Sequence, residues 1–330
     1  MSNWHRVAIL SSVILTSTVA SSAQSSLQHW LNPRLGQLET SANWTSLYTF
    51  DQPVNDQSAD MSIIQNNLNV FAPVRQDDHA ELAAFGRVNA TDLATQARLP
   101  DADVPLPDHL WDIAAGASYR WKLDNDWIAG LASSLGSPSD KPFDSLDEYN
   151  LTATGTLLIP ARRNDDAWLL MLNYASNREF LPHVPIPGLA YIYSPDKDLQ
   201  LTMGLPLAAA RFQATPRLTL DATYFIPRTT HLQATYALFD HLKWYAAFDW
   251  QNDRYLRADR PDDDERLFYY EKKATMGLRW ALSRQLALDF SGGYGFDRFF
   301  FEGENYGDRS KNRIAFSDGF FAAIQTLLRF

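Results

Sequence analysis

Hydrophobic and polar residues alternate along most of this chain. Residues 36–50 show the pattern, because the even positions hold Leu38, Ala42, Trp44, Tyr48 and Phe50 whereas the odd positions hold Gln37, Glu39, Ser41, Asn43 and Thr45. A period of two residues is typical of a β-strand with one apolar and one polar face. From about residue 36 onward the sequence has almost no convincing 3.6-residue periodicity, so the pattern predicts an all-β fold.

Similar segments follow one another to the end of the chain and give about 16 candidate strands. They are residues 36–50, 60–75, 80–94, 110–122, 125–136, 148–160, 166–176, 187–194, 198–206, 208–215, 218–227, 229–239, 241–254, 267–281, 284–298 and 317–330. An even number of strands is typical of single-chain bacterial barrels. Pro206 and Pro227 can mark bulges instead of turns, which widens the expected range to 12–16 strands.

The connections between these segments alternate in length. Long polar connections lie near 51–59, 95–109, 137–147, 177–186, 255–266 and 302–315, and short ones lie near 123, 162, 196, 216, 240 and 283. Long loops on one rim and short turns on the other are typical of outer-membrane barrels. The sequence therefore predicts a transmembrane antiparallel β-barrel over residues 36–330.

The position of charges within the strands supports this prediction. A charge that faces lipid in the middle of a membrane costs about 2 to 4 kcal/mol, so strand charges should avoid the apolar parity. In residues 110–122 the apolar residues are odd, while Asp112, Arg120 and Lys122 are even. Three charges break the rule, Lys272, Arg228 and Arg298, and we assign them to strand ends, where the cost falls toward zero.

A soluble β-sandwich or a lipocalin-like barrel also alternates, but its apolar face is dominated by branched aliphatic residues. Here the apolar parity is rich in tryptophan and tyrosine near segment ends, as in the aromatic girdles of membrane barrels. The chain ends on Phe330, inside an alternating segment. A terminal aromatic resembles the signal that barrel-insertion machinery recognises in Gram-negative outer-membrane proteins, so Phe330 is the predicted membrane insertion signal.

Composition and charge exclude several classes of protein. The net charge is −10 and the pI is about 5.1, which is opposite to the basic surface that nucleic-acid binding requires. The chain has no cysteine, so disulfides and thiolate chemistry are excluded. The first residues combine Arg6, an apolar run from Val7 to Leu15 and small residues up to Ala23, which predicts a signal peptide over residues 1–23 and a periplasmic segment over 24–35. A buried strand or a short membrane anchor is the alternative.

Three stretches, DERLFYYEKKATMGLRW, LALDFSGGYGFDRFFFEGENYGDR and IPGLAYIYSPDKDLQLTMGLP, resemble an uncharacterised family of Gram-negative outer-membrane β-barrel proteins grouped under a domain-of-unknown-function label. The resemblance covers roughly residues 110–330. It implies a location in the bacterial outer membrane and a barrel architecture. It implies no activity, and no catalytic or binding residue is carried over from it.

The sequence shows little that predicts catalysis or metal binding. The seven histidines include no HxxxH or HxH spacing, and no G-x-S-x-G motif occurs, so we predict no catalytic residue, no metal and no cofactor. The acidic run in RPDDDER, residues 260–266, lacks the ligand spacing of a calcium loop and is interpreted as a solvated loop. The glycines of SGGYG lie in an alternating strand, where they are expected to receive aromatic rings.

The polar parity of the strands carries charges of both signs, which predicts a charged lumen wall. The candidate pore-lining residues are Arg87, Asp112, Arg120, Arg211, Asp221, Lys243, Asp249, Lys273, Arg279 and Asp289. With about 16 strands the lumen would hold water, whereas with about 12 the same residues would pair into a plug. We therefore expect a passive, porin-like channel for small hydrophilic solutes that contacts outer-membrane lipids, lipopolysaccharide and the barrel-assembly machinery. The alternatives are an enzyme that modifies lipid or lipopolysaccharide and a non-conducting structural or adhesion barrel.

Overall fold

The computed structural model of this protein describes residues 34–101, 103–161, 165–178, 181–226 and 229–330. The predicted signal peptide and Arg228 lie outside these ranges. The strands are β1 (Ser41–Pro53), β2 (Asp60–Gln76), β3 (Ala80–Thr95), β4 (Arg98–Leu99), β5 (Val104–Pro105), β6 (His109–Lys122), β7 (Ile128–Ser139), β8 (Asn150–Pro160), β9 (Ala167–Ala175), β10 (Ile186–Tyr193), β11 (Leu199–Leu205), β12 (Leu207–Thr215), β13 (Leu218–Phe225), β14 (Thr229–Phe239), β15 (Leu242–Tyr255), β16 (Arg266–Ala281), β17 (Leu286–Gly303), β18 (Arg313–Phe316) and β19 (Gly319–Arg329).

Within the described residues, sixteen of these strands form a closed antiparallel barrel. Each strand pairs with its neighbour along the chain, and the barrel closes where β1 pairs with β19 from Ser41↔Arg329 to Thr49↔Phe321. The other three strands are additions at one rim, because β4 pairs only with β5 and β18 extends the edge of β17. The predicted all-β barrel and the predicted number of strands are therefore confirmed.

The outer face of the wall is apolar and exposed. Large hydrophobic side chains point outward on most strands, and Leu131, Leu172 and Met203 each expose more than half of their surface. Within the described ranges, no helix has the length and apolar character needed to cross a bilayer. The opposite parity of the same strands points inward and holds most of the buried polar residues.

The wall differs in height around the barrel. On one side, which we call the tall side, strands β1–β3, β6 and β15–β17 have 13 to 18 residues each. On the opposite side, which we call the low side, strands β9–β14 have 7 to 11 residues. Pro206 alone connects β11 and β12 at the rim where the tall side carries its long loops. The tall side therefore extends well beyond the low side at this rim.

A β-bulge bends the tall side where its extension begins. The register between β16 and β17 shifts between Tyr270 and Lys272, and Asp297 has a φ of 52°. One extra residue on β17 reverses which parity faces inward, as bulges do. Arg298 consequently faces the interior, where it is 2% exposed, and β17 continues to Gly303. The assignment of Arg298 to a strand end was therefore wrong, as was that of Lys272, which lies inside β16.

Above the bulge, the end of β15 crosses the lumen to the opposite wall. Strands β15 and β7 are eight strands apart in either direction around the barrel. Nevertheless, Leu256 forms a parallel bridge with Ser139, and its N–H donates to the carbonyl of Pro138 at 2.7 Å. It occupies the edge of β7 that β8 leaves free, because the pairing of β7 with β8 stops at Gly136↔Asn150. The lumen is narrowed at this level.

The upper end of the tall side encloses an apolar cluster, which we call the cap cluster. It consists of Val54, Met61, Ile63, Leu93, Ala97, Leu99, Leu106, Leu110, Tyr255, Leu267, Tyr269, Phe300, Ile314 and Phe316. Strands β2, β3, β6 and β15–β18 contribute inward-facing residues, Val54 directly follows β1, and the β4–β5 hairpin inserts Leu99 among them. Burial of these side chains stabilises the inward bend.

The other end of the lumen contains part of the amino-terminal segment. Leu35 packs against the inner faces of strands β7–β10, in a cluster with Ile128, Leu158, Ala167, Leu169, Ala190 and Ile192. The N–H of Gly36 donates to Oε2 of Glu81 at 3.0 Å. Residues 35 and 36 therefore lie inside the barrel at the rim with the short turns.

Candidate functional site: a polar chamber below the cap

The ten predicted pore-lining residues all lie on wall strands and include several buried ion-pair partners. Arg120 contacts Glu81 at 2.9 Å, Asp249 contacts His231 at 2.7 Å, Lys273 contacts Glu271 at 3.3 Å and Arg279 contacts Asp289 at 2.9 Å. Buried charges need a close partner to offset the loss of hydration. Three of these pairs join neighbouring strands, and Lys273 and Glu271 lie two residues apart on β16. Whether these residues line a conducting pore stays a prediction.

The remaining members of the set have different environments. Arg211 and Asp221 face each other across β12 and β13. Lys243 lies opposite another cation, Arg279, on β16. Arg87 and Asp112 form an ion pair, with Arg87 Nε 2.8 Å from Asp112 Oδ2, and unlike the buried pairs they are partly exposed. This last pair lines a cavity inside the barrel.

That cavity, which we call the polar chamber, lies directly below the cap cluster. Its volume is about 150 Å³, and its lining residues are Gln65, Asn67, Arg87, Asn89, Thr91, Asp112, Pro138, Asn150, Asn177, Asn252, Asp253, Arg254, Tyr255, Leu256 and Arg266. On β2 the inward residues change from Met61 and Ile63 in the cap cluster to Gln65 and Asn67 in the chamber. The inner wall thus switches from apolar to polar at this depth.

Six carboxamide side chains line the polar chamber, and several have polar atoms without a partner among the described residues. These atoms are Oε1 of Gln65, Nδ2 of Asn67 and Oδ1 of Asn89, Asn150 and Asn252. Gln65, Asn67 and Asn89 are 2%, 3% and 8% exposed. A buried polar group without a hydrogen bond costs about 1 to 3 kcal/mol, so these amides have unmet capacity to bind water or a solute.

Sequence reasoning found two charged residues of the chamber, Arg87 and Asp112, and missed its amides. The missed signal is in β2, where residues 63–69 read IIQNNLN and the odd positions are Ile63, Gln65, Asn67 and Asn69. The predicted pore-lining residues include only charged side chains. A run of amides on the polar parity indicates a surface that can form hydrogen bonds without carrying charge.

Other candidate residues do not converge on a second site. His231 is buried with Asp249 inside the wall, and His109 contacts Asp92 at 2.7 Å on the exposed outer face. Among the described residues, Asp77, Asp78 and His79 have metal-ligand spacing, but they form an exposed turn in which Asp77 accepts from the N–H groups of His79 and Ala80. A Cβ at Gly293 would lie 2.7 Å from the Phe321 ring, which explains this strand glycine.

The loop that contains RPDDDER is anchored at its base by buried charges. Arg257 Nε contacts Glu302 Oε1 at 2.8 Å, and both side chains are 2% exposed. Loss of hydration, followed by repulsion from Glu302, raises the pKa of Glu265 above its ordinary value. The acidic residues 262–264 are exposed at the tip. At the other rim, Phe330 donates its N–H to the carbonyl of Thr40 at 2.9 Å and exposes 68% of its surface.

Comparison with solved structures finds outer-membrane barrels. An outer-membrane channel from Pseudomonas putida F1 is 9% identical, with 91% of this chain and 98% of that chain covered and a TM-score of 0.38. The TodX monoaromatic hydrocarbon channel, in a deltaS2 mutant, is 9% identical over 88% and 90% of the two chains, with a TM-score of 0.39. The translocator domain of the autotransporter NalP from Neisseria meningitidis is 10% identical over 95% and 98%, with a TM-score of 0.32.

At these identities and TM-scores the similarity bears on neither substrate nor activity. No protein-family model matches the chain, and no curated protein matches it. The resemblance of three stretches to an uncharacterised outer-membrane family is therefore not matched by a family model.

Proposed function

We propose that this protein is a barrel of the bacterial outer membrane that acts as a passive channel for small hydrophilic solutes. The polar chamber is the observation on which the proposal rests. It places carboxamides and the Arg87–Asp112 ion pair inside a wall whose outer face is apolar. Solutes would be selected by size and by hydrogen bonding, without a reaction.

The exposed outer face supports the location in a membrane. Monomeric soluble proteins rarely expose contiguous apolar patches larger than a few hundred Å². Here exposed aromatic and aliphatic side chains recur on β1, β2, β9, β11, β14 and β16. Contact with outer-membrane lipids and lipopolysaccharide follows from this proposal, and Phe330 is the proposed signal for the assembly machinery.

The cap supports a narrow channel instead of a wide pore. The end of β15 reaches β7 across the lumen, and Tyr255 lies 3.5 Å from Thr91 through their hydroxyl oxygens. A solute on its way through the barrel has to pass the chamber beside this strand. We therefore expect small unitary conductance compared with a general porin of the same strand number.

The buried ion pairs favour a second candidate, a non-conducting barrel. Arg120, Lys273 and Asp289 are each about 1% exposed, so parts of the lumen are packed with paired charges instead of water. Such a lumen is consistent with a structural or adhesion barrel. The third candidate, an enzyme acting on lipid, would need a nucleophile beside the outward His109–Asp92 pair.

Planar-bilayer recording with the purified full-length protein tests these candidates. Stable ohmic conductance, together with swelling of protein-loaded liposomes in small sugars, supports the channel. Absence of both, at a density where a known porin conducts, supports the non-conducting barrel. Release of fatty acid from added phospholipid, lost in a His109→Ala variant and kept in a His79→Ala control, would support the enzyme instead.

A further inference from the structure

We propose that the polar chamber is a binding site for a neutral, polyhydroxylated solute of about the size of one sugar ring. This deepens the channel function proposed above, on which it rests, by naming the class of solute that the channel selects. Gln65, Asn67 and Asn89 line the chamber, and each has a buried amide atom without a partner, which indicates a ligand with several hydrogen-bonding groups.

The chemistry of the lining matches hydroxyl groups. A carboxamide offers a carbonyl acceptor and an NH₂ donor, and a hydroxyl both donates and accepts. Amides of Gln65 and Asn67 on β2 and of Asn89 on β3 lie along adjacent strands, while Asn150 and Asn252 lie on β8 and β15. Since the amides approach from several walls, they can contact a ring of hydroxyls around its perimeter.

The charged residues of the chamber already have partners, which favours binding of a neutral solute over an ionic one. Arg87 and Asp112 neutralise each other, with contacts of 2.8 Å and 3.0 Å between the guanidinium and the carboxylate. Asp253 accepts a hydrogen bond from Nε2 of Gln251 at 3.3 Å, and Arg266 donates to Oδ1 of Asn177 at 2.9 Å. An ionic solute would have to break one of these pairs, whereas a neutral solute hydrogen-bonds to them as they stand.

The roof of the chamber adds an apolar surface of limited size. Tyr255 belongs both to the cap cluster and to the chamber lining, and it is 5% exposed. An aromatic ring packs against the C–H face of a sugar while its hydroxyl stays available for hydrogen bonding. The volume of about 150 Å³ is well above the roughly 10 to 15 Å³ that one water molecule needs on the same measure, so the chamber has room for a solute of several heavy atoms.

Binding is tested on the full-length protein in detergent by titration calorimetry and by saturation-transfer NMR. The probes are D-glucose as the neutral ring, and glucuronate and glucosamine as charged rings of similar size. We expect saturable binding of glucose that is at least tenfold tighter than binding of either charged ring. Equal or tighter binding of a charged ring, or no saturable binding of glucose, would overturn the proposal.

Variants locate the site. Asn67→Leu combined with Asn89→Leu removes two amides at nearly constant volume and is expected to weaken glucose binding at least tenfold, since each hydrogen bond contributes a few-fold or more. Asn43→Leu is the matched control, because Asn43 is an inward amide on β1 that hydrogen-bonds to Gln325 outside the chamber. Heat-modifiable migration in gels verifies that each variant is folded, and Gln65→Leu is used if the double variant is not.

The binding assay and the conductance assay can each reject one proposal without rejecting the other. Conductance without glucose binding would overturn this inference and leave the channel function in place. Glucose binding without conductance would overturn the channel function and leave the binding site as the property of a non-conducting barrel. Loss of glucose binding in Asn43→Leu as large as in the double variant would show that the site is not in the chamber.

Discussion

The tall and low sides of the barrel use the same strand pattern for different purposes. On the low side, β9 alternates between outward Trp168, Leu170 and Leu172 and inward buried residues, and the strand stops after nine residues. On the tall side, β17 alternates in the same way up to the bulge and then continues for several residues that are buried on both faces. The low side forms only a wall with an apolar outer face, whereas the tall side also builds the cap.

The two faces of the extension are covered by different parts of the chain. One face contributes Tyr269 and Phe300 to the cap cluster. The other face carries Phe268, Tyr270, Phe299 and Phe301, which pack with Tyr306 from the following loop. A strand that is buried on both faces reads as a continuous hydrophobic run instead of an alternating one. The difference between the sides is therefore visible in sequence once the bulge is known.

The largest loss of stability is expected when the cluster of buried charges at the bulge loses its acidic residue. Glu271 lies between Arg298 at 3.0 Å and Lys273 at 3.3 Å, and all three side chains are at most 2% exposed. Glu271→Leu would leave two buried cations without their acid, which costs about 3 to 5 kcal/mol. We expect this loss in urea unfolding from liposomes, together with increased conductance as the cap loosens. A loss below 1 kcal/mol would show that the cluster does not hold the bend.

A second test removes one aromatic ring above the bulge in β17 and one below it. Phe301 is fully buried and stacks on Phe268 with centroids 4.5 Å apart, so Phe301→Ala should cost about 3 kcal/mol or slightly more. Phe290 is 50% exposed on the outer face, and Phe290→Ala should cost clearly less. Urea unfolding measures both. Equal losses would contradict the assignment of separate roles to the two halves of β17.

The wall could be predicted from sequence because one physical rule governs it. An apolar outer face and a polar or paired interior impose a period of two, and all sixteen predicted segments overlap wall strands. The rule does not extend above the bulge in β17. Residues 298–303 read RFFFEG, and their true parity depends on one extra residue at Asp297 that no local pattern reveals.

The polar chamber could be predicted only in part. Arg87 and Asp112 could be predicted because charges are conspicuous on a polar parity. They form a diagonal pair, since the register of β3 with β6 places Asn89 opposite Asp112. The position of Asn252 in the chamber depends on the crossing of β15 to β7, a contact between strands on opposite sides of the barrel. Such long-range contacts leave no periodic trace in the sequence.

A charge introduced on the outer face of the low side should cause an intermediate loss of stability. Leu170 lies near the centre of β9 and is 40% exposed on the outer face, so Leu170→Arg should place a charge in lipid and cost about 2 to 3 kcal/mol. Leu146 is 85% exposed in the loop after β7, and Leu146→Arg should have an effect close to zero. The measurement is folding yield and urea stability in liposomes. Tolerance of arginine at position 170 would argue against a membrane on this side.

The smallest loss of stability is expected for substitution of Lys272, which is adjacent in sequence to Glu271, where the largest loss is expected. Lys272 follows Glu271 in sequence but points to the outer face, where it contacts Asp297 at 2.7 Å and is 28% exposed. It also lies 5.6 Å from the ring centroids of Trp250 and Tyr270. Partly exposed ion pairs and cation–π contacts contribute about 0.5 to 1 kcal/mol each and are weakened by solvent, so Lys272→Ala should cost no more than about 1 kcal/mol. The loss should shrink in high salt, whereas the loss from Glu271→Leu should not. Losses of stability of similar size and salt dependence for residues 271 and 272 would contradict this prediction. They would show that the inner face at the bulge is no more buried from solvent than the outer face.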